Sequence, residues 1–182
     1  KGSRTLYIHM GHHKTGTTSL QWSLKQSEHQ LADAGVNFLT SNGSGNSSEL
    51  ISVTAHRSHI VAKPQRSFYE LIANSKKGNA VISAEHLSFI EDEKEIEELF
   101  NFSKQYFDEV RVICYLRRQD KLAISLKQQA AKQPFYGASP SSAICGHDSD
   151  SVMPKFTFTL LNYLDFKSKI EKWQAIFGNQ NV

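Results

Sequence analysis

The 182-residue chain holds two cysteines, Cys114 and Cys145, too few for a disulfide framework or a metal cluster of their own. Cys114 lies inside an apolar run and reads as a packed core thiol. No apolar stretch approaches the ~20 residues of a membrane span, and no secretory leader is visible. Charge of one sign is also lacking. Twenty-one Lys and Arg against 18 Asp and Glu leave a net charge of +3. The basic residues are scattered, which permits an anionic ligand but argues against a nucleic-acid-binding surface. What remains is ordinary: 39% apolar and 21% charged residues describe a chain able to bury a core, and the length fits one domain. The sequence opens at "KGSR" without Met and stops at "IFGNQNV", where a helix ends. Residues 1–182 therefore read as a single domain lacking its C-terminal portion.

Three short β-branched or aromatic runs predict buried strands at 6–10 ("LYIHM"), 80–83 ("AVIS") and 110–116 ("VRVICYL"). Each is followed by a helical pattern. One helix is expected over 18–30, with Leu20, Leu24 and Leu31 near one face. "EDEKEIEELFNFSKQYF" starts acidic, as suits a helix N-terminus, and should bury Ile96, Leu99, Phe100 and Phe107. A further helix over 120–132 carries Leu122 and Leu126. The last one places Phe166, Ile170, Trp173 and Phe177 on one stripe before Gly178. Strands alternating with helices predict an α/β fold with a parallel sheet. Two segments break the rhythm: "TSNGSGNSS" (40–48) reads as a flexible loop, and 133–154 as a long polar loop of the kind used for lids or binding.

The chemistry concentrates in "TLYIHMGHHKTGTTSLQ". Gly11, four residues, then Gly16 resembles the front of a Walker A loop, but Thr17 stands where that motif has Lys, and Lys14 comes early. Strand, glycine-bounded turn and helix in this order should put the amides of Thr15, Gly16, Thr17, Thr18 and Ser19 at a helix N-terminus. There, unpaired N–H groups and the helix dipole favour phosphate. Lys14 adds charge at the rim, and His12 and His13 project from the loop toward a donor or acceptor. The second cluster is "YLRRQDKLAISLKQQ", in which Arg117 ends a strand and Ser125 follows eight residues later on a helix. An Arg fork and a hydroxyl can converge on a phosphate. Arg118 either faces solvent or pairs with Asp120.

"HKTGTTSLQ" resembles the 5′-phosphosulfate loop of sulfotransferases that use 3′-phosphoadenosine 5′-phosphosulfate (PAPS), and Arg117 with Ser125 resembles their 3′-phosphate motif. The "RRQD" wording is closer to bacterial and carbohydrate-type members than to the eukaryotic cytosolic enzymes. The resemblance implies a P-loop-like three-layer fold, a central parallel sheet flanked by helices. It further implies that Lys14 reaches the bridging oxygen and sulfuryl group, that His13 and Thr15 to Ser19 hold the donor, and that Arg117 and Ser125 bind its 3′-phosphate. Many members have Trp where this chain has Ser19, so adenine stacking must come from elsewhere. The family places its catalytic base just after the second core strand. This chain offers Glu85 and His86 there, with Glu85 preferred because carbohydrate-acting relatives often use Glu.

The expected activity is sulfuryl transfer from PAPS to a hydroxyl, leaving PAP, with no metal. The acceptor is a small molecule or, preferentially, a carbohydrate. Two other readings stand beside it: a P-loop kinase or NTPase with a variant Walker A, and a non-catalytic nucleotide-binding domain. The bacterial style suggests a cytoplasmic location. Three Asn-x-Ser sequons at Asn42, Asn46 and Asn101 would instead suit a Golgi lumen.

Overall fold

The computed structural model describes residues 2–56, 59–133, 139–146 and 151–182. In chain order, β1 (Thr5–His9) leads into α1 (Thr17–Gln26), α2 (Glu28–Asp33) and β2 (Val36–Leu39). A hairpin of β3 (Ile51–His56) and β4 (His59–Pro64) precedes α3 (Arg66–Ala73) and β5 (Asn79–Ser83). A 3-10 segment, Glu85–Phe89, connects β5 to α4 (Glu93–Lys104) and β6 (Glu109–Ile113). The chain closes with α5 (Gln119–Ala130), α6 (Pro140–Cys145), α7 (Phe158–Leu164) and α8 (Phe166–Phe177).

β2, β5, β1 and β6 form, in that order, a parallel four-stranded sheet flanked by helices. The hydrophobic strand runs dictate the arrangement. Leu6 and Ile8 of β1 are fully buried beside Ala80 and Ile82 of β5 and the nearly buried Val110 and Val112 of β6. Phe68, Ile72, Ile96, Leu99, Leu122, Leu126 and Trp173 from the helices close over them. Each such side chain contributes roughly 1.5–3 kcal/mol by leaving water. At the N-terminal edge, the Arg4 guanidinium donates to the carbonyls of Lys76, Gly78 and Tyr106 and lies over the Phe107 ring. That arginine ties β1 to the segments entering β5 and β6.

The opposite edge positions the site. β1 pairs with β5 on one side and β6 on the other, with His9 in register with both Ser83 and Ile113. The path from β1 goes first to β2, and the path from β5 later crosses to β6. The loops after β1, β5 and β6 therefore leave the sheet side by side at the C-terminal ends of the strands, the usual ligand position in a parallel α/β sheet.

Several sequence expectations need correction. The helix over 18–30 is two helices, divided at Ser27, and its buried residues in α1 are Thr17 and Gln21 rather than Leu20 and Leu24, which are half-buried. The reason is polar: Gln21 Nε2 donates to Ser83 Oγ at 2.9 Å, so α1 turns a hydrogen-bonding face to the strand ends. Leu31 in α2 is likewise half-buried. "TSNGSGNSS" is a hydrogen-bonded loop. Asn42 and Asn46 accept from the Ser44 and Ser48 amides, and the Ser47 amide donates to Ser83 O at 2.8 Å. Within 133–154, a short helix, α6, is buried along Ser141–Cys145 and held by a capping box between Ser139 and Ser142. Residues 134–138 and 147–150 of that segment lie outside the described residues. β2 and the β3–β4 hairpin are additions to the three expected strands.

Candidate functional site

The loop after β1 is built on three residues with positive φ: Gly11 at 44°, Lys14 at 64° and Gly16 at 88°. Gly11 is required twice over. Its φ is left-handed, and a Cβ there would stand 2.6 Å from Thr17 Cγ2. His12 N donates to Tyr115 O at 3.2 Å and Thr15 Oγ1 to His12 O at 2.6 Å, which tie the loop to the β6 exit and to itself. Among the described residues, no hydrogen bond uses the amides of Lys14, Thr15, Gly16, Thr17 or Thr18. Those N–H groups gather at the positive end of α1, an anion cradle by construction. Ser19 departs from expectation, because its amide donates to Gly16 O at 3.1 Å and belongs to the helix.

Cationic groups border this cradle. Lys14 is exposed, and its ammonium reaches Gln129 Oε1 of α5 at 3.4 Å. Arg117, also exposed, donates from its guanidinium to Lys14 O at 2.9 Å. Ser125 is half-buried one helical turn before Gln129, on the α5 face that meets the loop. Arg118 is taken by Asp120, at 2.8 and 3.1 Å through two nitrogens. Of the two adjacent arginines, only Arg117 faces the loop.

Glu85 arrives from β5. Its Oε1 accepts a hydrogen bond from Thr17 Oγ1, and its Oε2 lies 3.7 Å from His13 Nε2. Burial raises the Glu85 carboxyl above its usual range, only partly opposed by the Thr17 hydroxyl and the charge of Lys14. A carboxylate so placed holds a proton more readily than a solvated one. His86 is turned differently. Its amide donates to Ser48 Oγ at 3.2 Å, its buried Nδ1 has no partner among the described residues, and burial lowers its pKa.

The two loop histidines do not project toward a ligand. His12 is fully buried, with Nδ1 3.6 Å from Cys114 Sγ and its ring edge-on to Phe166, and burial pushes its pKa down to about 3. The His13 side chain, 13% exposed, points inward between Phe89, His86 and Tyr163. Its amide and Nδ1 both meet the Tyr163 hydroxyl, at 3.2 and 3.0 Å. Tyr163, Gln129 and Ser48 complete the site from positions that no local motif marks.

The loops after β1, β5 and β6 thus bring together a run of amides without partners, two cations, a hydroxyl and one half-buried carboxylate. Among the described residues, no group of three or more His, Cys, Asp and Glu is placed to hold a metal, and no helix is long and apolar enough to cross a membrane. No protein-family model, curated protein or solved structure matches the chain.

Proposed function

We propose that this chain is a sulfotransferase domain of P-loop-like architecture that moves a sulfuryl group from PAPS to a hydroxyl, preferentially of a carbohydrate. The observation that carries the reading is the convergence of Lys14 and Arg117 on one loop of unpaired amides, with Glu85 hydrogen-bonded to Thr17 beside them. The amides of Lys14 to Thr18 take the 5′-phosphate. Arg117 and Ser125, at the β6 exit and on α5, take the 3′-phosphate that distinguishes this donor from ATP. Glu85 accepts the acceptor's proton as its oxygen forms the new O–S bond. The bridging S–O bond breaks, and its electron pair leaves with the 5′-phosphate of PAP, whose charge Lys14 stabilises. Glu85 is preferred to His86 as base because its carboxylate stands at the loop, whereas His86 is oriented by the Ser48 loop.

Calorimetry with PAP, ADP and ATP, with and without Mg²⁺, tests the reading. PAP is expected to bind most tightly, without Mg²⁺, and to need Arg117. Preference for ATP refutes it in favour of a kinase or NTPase. Donor binding without transfer of labelled sulfate to any sugar, lipid or small alcohol leaves a non-catalytic nucleotide-binding domain.

A further inference from the structure

The inward orientation of His13 is unexplained by donor binding, yet its contacts are specific. Tyr163 is 3% exposed, and its hydroxyl has two partners, the His13 amide and His13 Nδ1. A backbone N–H can only donate, so the phenolic oxygen accepts there. Ser88 Oγ lies beside the phenolic oxygen, close enough to lower the Tyr163 pKa but not placed as a well-formed hydrogen bond. The best-formed acceptor for the phenolic O–H is His13 Nδ1, at 3.0 Å. Protonating Nδ1 instead would leave the buried hydroxyl hydrogen only the poorly placed Ser88 oxygen, which is costly. The Lys169 ammonium, 4.9 Å from the Tyr163 ring centroid, draws on the ring's electron density and strengthens the O–H as a donor.

With Nδ1 accepting, the imidazole carries its hydrogen on Nε2, the atom 3.7 Å from Glu85 Oε2. The ring cannot easily turn away, because Phe89 at 4.8 Å and His86 at 5.4 Å pack against it. Thr17 holds the other carboxylate oxygen.

We propose that Tyr163 and His13 are a positioning pair: the Tyr163 hydroxyl fixes the Nε2–H tautomer of His13, and that N–H orients the Glu85 carboxylate for proton abstraction from the acceptor. The base role of Glu85 rests on the sulfotransferase reading; the tautomer and its effect on the carboxylate do not. Burial keeps His13 neutral, with the charges of Lys14 and Lys169 and the neighbouring His12 and His86 acting in the same direction. Glu85 is faced by Lys14 and Thr17 from the loop and α1, and by His13. Cys114 stands behind His12, with its thiol raised to about 11 by burial. Of these groups, His13 Nε2 stands beside Oε2, at 3.7 Å.

The test uses the whole chain and two variants. ¹⁵N spectra of His13 should report the Nε2–H tautomer in the unmodified protein. Tyr163→Phe, which keeps the ring, should mix the tautomers and move the Glu85 carboxyl titration, followed by ¹³C, upward by about half a unit or more. PAP affinity should stay within about twofold, while kcat falls about three- to tenfold, as for loss of one hydrogen bond. The acid limb of the kcat profile should move upward with the carboxyl. His13→Gln, which can still offer an N–H to Glu85, should retain more kcat than His13→Ala. An Nδ1–H tautomer in the unmodified protein overturns the proposal, as does an unmoved Glu85 titration in Tyr163→Phe. Parallel loss of PAP affinity in that variant would return His13 to the donor site and also overturn it. If the unmodified chain does not bind PAP, the sulfotransferase reading fails on its own. The tautomer and carboxyl titrations then still decide whether the pair holds Glu85.

Discussion

Gly11→Ala is the sharpest test of how the loop is built. Gly11 has a φ of 44°, and a Cβ there would sit 2.6 Å from Thr17 Cγ2 and 3.4 Å from the His9 ring. The backbone alone costs an alanine roughly 1–2 kcal/mol in the left-handed region. The overlap with Thr17 is about 0.8 Å short of ordinary contact, which begins at 3.4 Å. Thr17 is buried and β-branched, so it escapes only by rotating χ1, which swings Oγ1 off Glu85. Either outcome adds about 1–3 kcal/mol, as overpacking or as a lost hydrogen bond. The expected total is about 2–5 kcal/mol, or roughly 4–20 °C in Tm for a chain of this size. Gly16→Ala is the control. Its φ is 88°, but no atom lies within 4 Å of the added Cβ, so only the backbone cost applies. Thr17→Ser removes Cγ2 and keeps the hydroxyl. Combined with Gly11→Ala it should recover about 1–2 kcal/mol of non-additive stability. Urea and thermal denaturation of the four variants decide the matter. Equal losses at Gly11 and Gly16, with no coupling to Thr17→Ser, would refute the close-packed loop.

Lys169 is buried and its ammonium is depressed to about 8 by desolvation. A lysine pKa below its unfolded value means that the folded state binds fewer protons, so this group's cost is full below pH 8 and fades as pH rises toward 10.5. Lys169→Met should therefore be more stable than the parent at neutral pH by on the order of 3 kcal/mol, with the gap narrowing at alkaline pH in matched denaturant titrations. A less stable Met variant at neutral pH would contradict this. Arg117→Ala should weaken PAP binding about 10–100-fold through loss of charge-assisted hydrogen bonds. Arg118→Ala, whose guanidinium is already held by Asp120, should change it less than about threefold; the reverse order in calorimetry would exchange their roles. Ser139→Ala removes the capping box of buried α6 and should cost about 1 kcal/mol, read by denaturation and by faster exchange at the Ser141 and Ser142 amides.

The parts of the fold legible in sequence were those in which one short segment settles its own structure. The runs of β1, β5 and β6 are β-branched and apolar enough to be strands in any context, although β6 lies at the sheet edge, and Gly178, at φ 90°, ends α8 where the pattern stops. Ile96, Leu99, Leu122 and Leu126 are buried as their spacing requires. What was not legible depended on partners far along the chain. Leu20 and Leu24 form an apolar stripe on α1, yet Thr17 and Gln21 face inward because the strand ends beneath them carry Ser83 and Glu85. α6 reads as a polar loop because its "PSSAIC" is short and serine-rich, although Ser142 spends its hydroxyl on the cap. Likewise, the loop motif marked which residues gather around the start of α1 but not which way each points. Tyr163 lies 150 positions from His13 and reorients it.

The same contrast explains why Lys14 can occupy a left-handed conformation at φ 64°, where most residues other than glycine are strained. A strain of about 1–3 kcal/mol persists only where the surroundings fix the backbone from several sides. Here Arg117 binds the Lys14 carbonyl, Gln129 meets its ammonium, and Tyr163 holds the preceding amide. These three residues come from the β6 exit, α5 and α7, so segments beyond the sheet brace the loop. On the sulfotransferase reading proposed above, Arg117 serves the donor in two ways, through its own charge and through the Lys14 carbonyl that it holds.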